Sequence, residues 1–313
     1  MKILVTGGAG YIGSVLVPML LGAGHRVTVI DNFLYGANSL AACAFHPNFD
    51  VHRVDVRDIN AVQPFLAGAD AVIPLAGLVG APLCDRNPVD ADLVNRVSVL
   101  AMFKSLAADQ LVVMPTTESV YGSNLDICDE KTPVNPLSTY ARHKVEVEAA
   151  LMERENAVSL RLATVFGMSP RMRLDLLIND FTWRAQRDRA LVVFEGHYRR
   201  TSVHVTDVSR AILHVLGQAR MMRGQVYNVG AVSATKLEIC AEIQQQVPYF
   251  TYTEIGGTPN DIAGHDPDQR NYVTSDAKIR AAGFQPRVML EAGIAELLKG
   301  YRMISNNRYG NMP

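Results

Sequence analysis

Cysteine is scarce in this 313-residue sequence: Cys43, Cys84, Cys128 and Cys240 are scattered along it. They lack the paired spacing of a small secreted disulfide framework or of a metal site. Reduced thiols in a cytoplasm are expected, and Cys84 reads as a small buried hydrophobe to which no chemistry is assigned. An excess of either charge is also missing, with 30 basic residues against 31 acidic ones. No basic block or lysine-rich face stands out, which argues against nucleic acid or an anionic membrane as the partner. Apolar stretches are broken by Gly, Pro or charge well before the ~20 residues of a membrane span. The N-terminus reads as strand and not as a signal peptide. Internal repeats and low-complexity segments are absent, and the tail Ser305 to Pro313 is polar. With 48% hydrophobic residues there is material for one large core or two modest ones, and small-molecule chemistry is the expectation.

The most informative stretch that is present runs Ile3-Leu4-Val5-Thr6-Gly7-Gly8-Ala9-Gly10-Tyr11-Ile12-Gly13. It joins a short apolar strand to a glycine turn and a helix. Gly7 can take the positive φ of a tight turn, Gly10 lets backbone approach a pyrophosphate, and Gly13 lets the helix pack on the strand. The unpaired N–H groups of the helix start then face the phosphates. A second apolar run, His25 to Ile30, ends at Asp31. An acidic residue there accepts hydrogen bonds from an adenosine ribose and repels a 2′-phosphate, which favours NAD over NADP.

Apolar runs then alternate with helical patterns: Ile3 to Val5, Val27 to Ile30, Asp50 to Val54, Ala71 to Leu75, Gln110 to Met114 and Val158 to Leu162. Such alternation implies an α/β fold with a doubly wound parallel sheet covered by helices. Asp90 to Ala108 and Tyr140 to Met152 carry apolar residues at helical spacing, so both segments can cover the sheet or pair with another subunit. After about residue 165 the pattern changes to isolated helices, short strands and many Gly, Pro and Asn. The expected division is a dinucleotide-binding domain over 1–165, to which 203–230 returns, and a smaller lobe from 166–202 and 231–313.

Tyr140 and Lys144 lie four residues apart and share one face of a helix. A cation beside a phenol lowers its pKa, so Tyr140 is a candidate base for a sugar hydroxyl proton as hydride leaves for nicotinamide. The segment Val112 to Gly122 runs from strand into a hydroxyl-rich loop on the side of a parallel sheet where ligands bind. A hydroxyl there can bridge substrate and tyrosine.

With these residues in view, the chain resembles the extended short-chain dehydrogenase/reductases that act on nucleotide sugars, among them 4-epimerases, 4,6-dehydratases and decarboxylases. The resemblance runs over nearly the whole chain and implies a Rossmann-type fold with a smaller C-terminal substrate-binding lobe, NAD as cofactor, and a homodimer. It makes Thr117, Tyr140 and Lys144 the catalytic set. It places the cofactor against Gly7, Gly10, Tyr11, Ile12, Asp31, Asn32, Asp55, Val56, Leu75, Ala76 and Gly77, with Tyr140 and Lys144. Asp55-Val56 resembles the family's adenine contact and Arg200 the arginine that grips the substrate diphosphate, for which a guanidinium fork is suited. Glu118, Ser119, Thr164, Arg171, Arg173, Arg200 and Arg270 are the substrate-binding candidates. Arg171 and Arg173 either reach the substrate from the second lobe or flank a helix start. Asn95 resembles the family's helix asparagine that props the active site, and also suits a residue that satisfies nearby backbone. His143, on another helical face from Tyr140 and Lys144, reads as surface.

Departures from the family pattern help to choose among reactions. Dehydratases and decarboxylases of this family carry a glutamate two residues before the tyrosine of the ValTyrGly element, where this chain has Ser119. Glu118 is one residue earlier, and in an extended chain it points the other way. Thr164 stands where the family often has Asn, and His265 where it has a second phosphate-binding arginine, with Arg270 as a possible substitute. Leu78 to Cys84, Arg161 to Gly167 and Ser169 to Leu177 resemble a polysaccharide-cluster subgroup that includes GDP-heptose 4-dehydrogenases. The expected activity is oxidation at C4 of a GDP- or UDP-linked sugar, as a dehydrogenase or 4-epimerase. A 4,6-dehydratase and a non-catalytic NAD-binding sensor are the alternatives.

Overall fold

A computed structural model describes residues 1–36, 38–124, 126–255 and 272–304. Its strands are β1 (Lys2–Thr6), β2 (Arg26–Asp31), β3 (Phe49–Arg53), β4 (Ala71–Pro74), β5 (Leu111–Thr117), β6 (Ile127–Cys128), β7 (Ala157–Leu162), β8 (Thr164–Phe166), β9 (Ala190–Phe194), β10 (Arg199–His204), β11 (Gln225–Val229), β12 (Val232–Thr235), β13 (Thr251–Ile255) and β14 (Val273–Thr274). Helices α1 (Gly13–Gly22), α2 (Ile59–Ala67), α3 (Ala81–Arg86), α4 (Pro88–Asp92), α5 (Ser98–Ser105) and α6 (Thr139–Leu151) come first. They are followed by α7 (Leu177–Arg187), α8 (Val205–Gly217), α9 (Ala219–Met222), α10 (Lys236–Gln246), α11 (Ala277–Ala281) and α12 (Leu290–Tyr301).

The central sheet has the order β11-β7-β5-β4-β1-β2-β3, and all its pairs are parallel. Residue alternation explains why both faces are covered. Ile3 and Val5 of β1 and Leu111 and Val113 of β5 join a core beneath α1 and α8, while Leu4, Val112 and Met114 join the opposite core beneath α2, α5 and α6. A strand buried on both sides is apolar on both faces along its central run, as Ile3 to Val5 and Leu111 to Met114 are. A separate apolar cluster, including Phe166, Ile178, Trp183, Phe250 and Leu297, packs α7, α10 and α12 together. Beside it lie the sheet β12-β10-β8 and the pair β13-β9.

The strand order runs outward from β1 in two directions, to β2 on one side and β4 on the other. The crevice beyond their carboxyl ends is the switch point where parallel α/β sheets take ligands. The segment expected as one helical run, Asp90 to Ala108, is interrupted: a π turn, Leu93–Val97, separates α4 from α5. It places Asn95 inside the fold, as π turns often do for residues that serve a site. Among the described residues no helix is long and apolar enough to cross a membrane.

Candidate active site

Beyond Thr6 the chain turns at Gly7, whose φ is 66°. A Cβ there would stand 2.5 Å from the Ala76 nitrogen after β4, so two strand ends meet with no room for a side chain. A Cβ on Gly13 would lie 2.5 Å from the Gly8 carbonyl oxygen, which lets α1 start directly on the loop. No side chain caps α1; Ser14 N donates to the Gly10 carbonyl at 2.9 Å and Leu16 N to the Ile12 carbonyl at 3.0 Å, and the positive end of the helix dipole at the glycine loop favours an anion. The Tyr11 side chain turns from this cradle: its hydroxyl donates to the Gly167 carbonyl at 2.6 Å and accepts from Asn179 Nδ2 at 3.1 Å. Tyr11 lines the cleft and also fastens the loop to the chain after β8.

Two cavities share Gly7, Gly10, Tyr35, Leu75 and Gly77. The smaller, about 180 Å³, is lined also by Asp31, Asn32, Asp55, Val56 and Ala76. The Asp31 carboxylate accepts from Phe33 N at 2.7 Å and Ala9 N at 3.0 Å, and burial raises its pKa above the usual carboxylate range. Asp55 is gripped by the Arg57 guanidinium at 2.7 and 3.0 Å, which holds its pKa down at about 2. Glycine cradle, helix start and acidic wall together fit a dinucleotide with a free adenosine ribose.

The larger cavity, about 720 Å³, brings Ile12, Thr117, Ser119, Tyr140, Lys144, Thr164, Arg171, Arg173 and Arg200 to one wall system. Thr117 ends β5, and its Oγ1 accepts from Ser119 N at 3.1 Å and donates to Ser119 Oγ at 3.0 Å. That cap starts a 3₁₀ turn, Glu118–Tyr121. On α6, begun by the Ser138 hydroxyl accepting from Ala141 N, Tyr140 and Lys144 project one turn apart. Lys144 Nζ lies 5.9 Å from the Tyr140 ring centroid and donates to the Pro115 carbonyl at 3.4 Å. Burial pushes its ammonium down to about 8. Below α6 the buried Glu148 carboxylate accepts from Arg161 Nη2 at 2.5 Å, Ser159 Oγ at 2.6 Å and Thr116 Oγ1 at 3.0 Å, fixing the helix to β5 and β7.

Asn95 grips the backbone of Leu78 with both amide atoms, accepting from its N–H and donating to its carbonyl at 2.8 Å. It therefore satisfies backbone and shapes the cleft loop at once. The Cys84 thiol donates to the Leu78 carbonyl at 3.2 Å, and burial pushes it up to about 11, which leaves it protonated.

Two expectations are corrected by the structure. Glu118 is wholly buried and absent from the cleft wall, so it is not a substrate contact; its Oε2 accepts from Thr274 Oγ1 at 2.8 Å. The 3₁₀ turn, in place of extended chain, sets that direction. His143 is not on the surface: it is 8% exposed, with Nε2 3.4 Å from Asp92 Oδ1, because α6 is covered by the sheet on one side and by α4 and the π turn on another. Arg270 and His265 lie outside the described residues.

Several cleft residues escaped sequence reading. Tyr35 lines both cavities, with the Arg171 guanidinium 4.0 Å above its ring. Its position a few residues beyond Asp31, in a loop leaving the cofactor strand, was the available signal. Lys236 is buried in the wall, with Nζ 2.9 Å from the Phe194 carbonyl it donates to and 3.5 Å from Glu195. The capping box Thr235 to Glu238 marked a helix start there but not its direction. Asp175, bound to Arg173 at 2.6 Å, and Asp180 also line the cleft.

A family model described as the NAD dependent epimerase/dehydratase family matches residues 3–230. The chain is 31% identical over 325 residues to a dTDP-glucose 4,6-dehydratase of Streptomyces niveus, covering 96% of this chain and 93% of that one. The dTDP-glucose 4,6-dehydratase DesIV of Streptomyces venezuelae, solved with NAD bound, superimposes with a TM-score of 0.83 at 26% identity, covering 97% and 98% of the two chains. A UDP-glucuronic acid 4-epimerase from Bacillus cereus shares the fold, with a TM-score of 0.84 at 22% identity over 97% of this chain and all of that one. The chain belongs to the NAD dependent epimerase/dehydratase family and is an NAD-dependent enzyme of the extended short-chain dehydrogenase/reductase type.

Proposed function

We propose that the enzyme oxidises the C4 hydroxyl of a GDP- or UDP-linked sugar, as a C4 dehydrogenase or 4-epimerase serving surface polysaccharide or related sugar biosynthesis. One observation carries this reading: Thr117, Tyr140 and Lys144 converge on a cavity that opens from the glycine cradle, and the neighbouring position holds the Ser119 hydroxyl instead of a carboxylate. NAD supplies the hydride acceptor. Thr117 Oγ1 orients the substrate hydroxyl, Tyr140 takes its proton, and the Lys144 ammonium favours the phenolate. Gly7, Gly10, Ile12 and the start of α1 hold the pyrophosphate, and Asp31 faces the adenosine ribose. Asn32, Asp55, Val56 and Ala76 surround the adenine, with Leu75 and Gly77 along the way. Arg200 binds the substrate diphosphate, and Arg171 and Arg173 extend the same basic wall.

A 4,6-dehydratase is the second reading, favoured by the Streptomyces niveus relative. Elimination calls for a proton-transfer group against the C5 side of the sugar. Ser119 has no such acidity, and the Glu118 carboxyl is turned out of the cavity, which supports C4 oxidation without water loss. Incubating the enzyme with GDP- and UDP-sugars and following products by mass and NMR tests the reading. Tyr140→Phe separates an enzyme from a sensor: turnover is expected to fall about 10²- to 10⁴-fold, the usual size of a lost acid–base group, with NAD still bound. Unchanged turnover would remove Tyr140 from the mechanism. A homodimer is part of the proposal, supported by the exposed Val89, Leu93 and Val97, spaced four apart along α4 and the π turn.

A further inference from the structure

Glu118 sits between two cleft residues, Thr117 and Ser119, yet its own side chain is 0% exposed and points elsewhere. Its Oε2 accepts from Thr274 Oγ1 at 2.8 Å, while Oε1 has no hydrogen-bond partner among the described residues. Thr274, on β14, donates its backbone N–H to Thr201 Oγ1 at 3.2 Å. Thr201 follows Arg200 on β10, and Arg200 lines the cleft. A short path of hydrogen bonds thus joins the turn bearing Thr117 and Ser119 to the strand bearing Arg200. Gly230, which follows β11, makes room for it: a Cβ there would stand 2.6 Å from Thr201 Cγ2 and 3.6 Å from Glu118 Oε1.

We propose that Glu118 is a positioning residue: clasped by Thr274, it holds the turn of Thr117 and Ser119 in fixed relation to β10 and Arg200. The chemistry of its surroundings says which form does this. Burial, with Asp276 and Glu130 nearby, raises the carboxyl's pKa well above the ordinary range, and the Thr274 hydrogen bond and, more weakly, the Arg161 guanidinium oppose this only in part. Among the described residues the Tyr121 phenol and the Cys128 thiol also face it. A neutral carboxyl accepts from Thr274 and keeps an O–H of its own, so a glutamine of the same shape reproduces it. A buried acceptor that loses its donor costs much more than a conservative swap.

The kinetic consequence rests on the function proposed above, but the clasp does not, and the test separates them. Hydrogen exchange followed by mass spectrometry on the NAD-loaded enzyme compares wild type, Thr274→Val and Glu118→Gln. Thr274→Val should speed exchange about tenfold in peptides covering both 116–122 and 199–204, leaving β1 and β2 unchanged, while Glu118→Gln stays close to wild type. With a nucleotide sugar that the wild type turns over, Thr274→Val should lower kcat/KM about tenfold and Glu118→Gln should retain it while removing any alkaline limb that ionisation of Glu118 imposes. Unchanged exchange in Thr274→Val, or exchange and kcat/KM in Glu118→Gln as damaged as in Thr274→Val, overturns the proposal. If no sugar is turned over, the proposed function fails and exchange alone still decides the clasp.

Discussion

Lys144 shows most directly what the site costs the fold. Its ammonium is buried, and its pKa falls from 10.5 to about 8 because burial disfavours charge. Between those values the unfolded chain binds more protons than the folded one, so stability rises with pH across that window and is lost again as pH falls towards 8. In the NAD-free protein, Lys144→Met should therefore be more stable than wild type near neutrality and lose that advantage as pH approaches 10.5. Denaturant titrations at several pH values check this, and a wild type whose stability stays flat across the window would contradict the burial of a charged lysine. The Tyr140/Lys144 pair was legible because helical spacing alone puts the two on one face. Glu118 was legible only as an offset: sequence could say it was out of step with Ser119, not that a 3₁₀ turn would drive it into the interior beside Thr274.

The strand–turn–helix unit at β1 and α1 and the alternation of apolar runs were readable because each is a local pattern. Gly7, Gly13 and the switch from period two to helical spacing carry their own geometry. Helix α6 is different, since its position depends on a partner distant in sequence. Glu148 meets Arg161, Ser159 and Thr116 in a buried network, and only the pairing of β5 with β7 brings those groups together. Glu148→Gln leaves the Arg161 charge buried without its counter-ion, a loss of about 3–5 kcal/mol for a broken buried pair. Chemical denaturation measures it, and a change below about 1 kcal/mol would show that the network relaxes freely. The burial of His143 was missed for the same reason: a helix wheel has no knowledge of a second covering layer, here α4 and the π turn.

Taken as one molecule, the chain sets a dinucleotide cradle against a charged second wall. The cradle was plain from the sequence. The far wall, with Lys236, Glu195, Asp175 and the Tyr35–Arg171 contact, was not, because its residues sit in connecting segments or at the start of a helix, where direction is fixed by tertiary packing. The same holds for assembly. If the exposed Val89, Leu93 and Val97 form the dimer face, Leu93→Glu should convert a dimer to a monomer in sedimentation velocity, whereas an unchanged state would exclude that face. The central claim, C4 oxidation without elimination, is tested most directly by the mass and NMR spectrum of the product from a GDP- or UDP-sugar. A 4-keto product lighter by two hydrogens, or an isomer of unchanged mass inverted at C4, is the predicted result; a product that has lost water would contradict it.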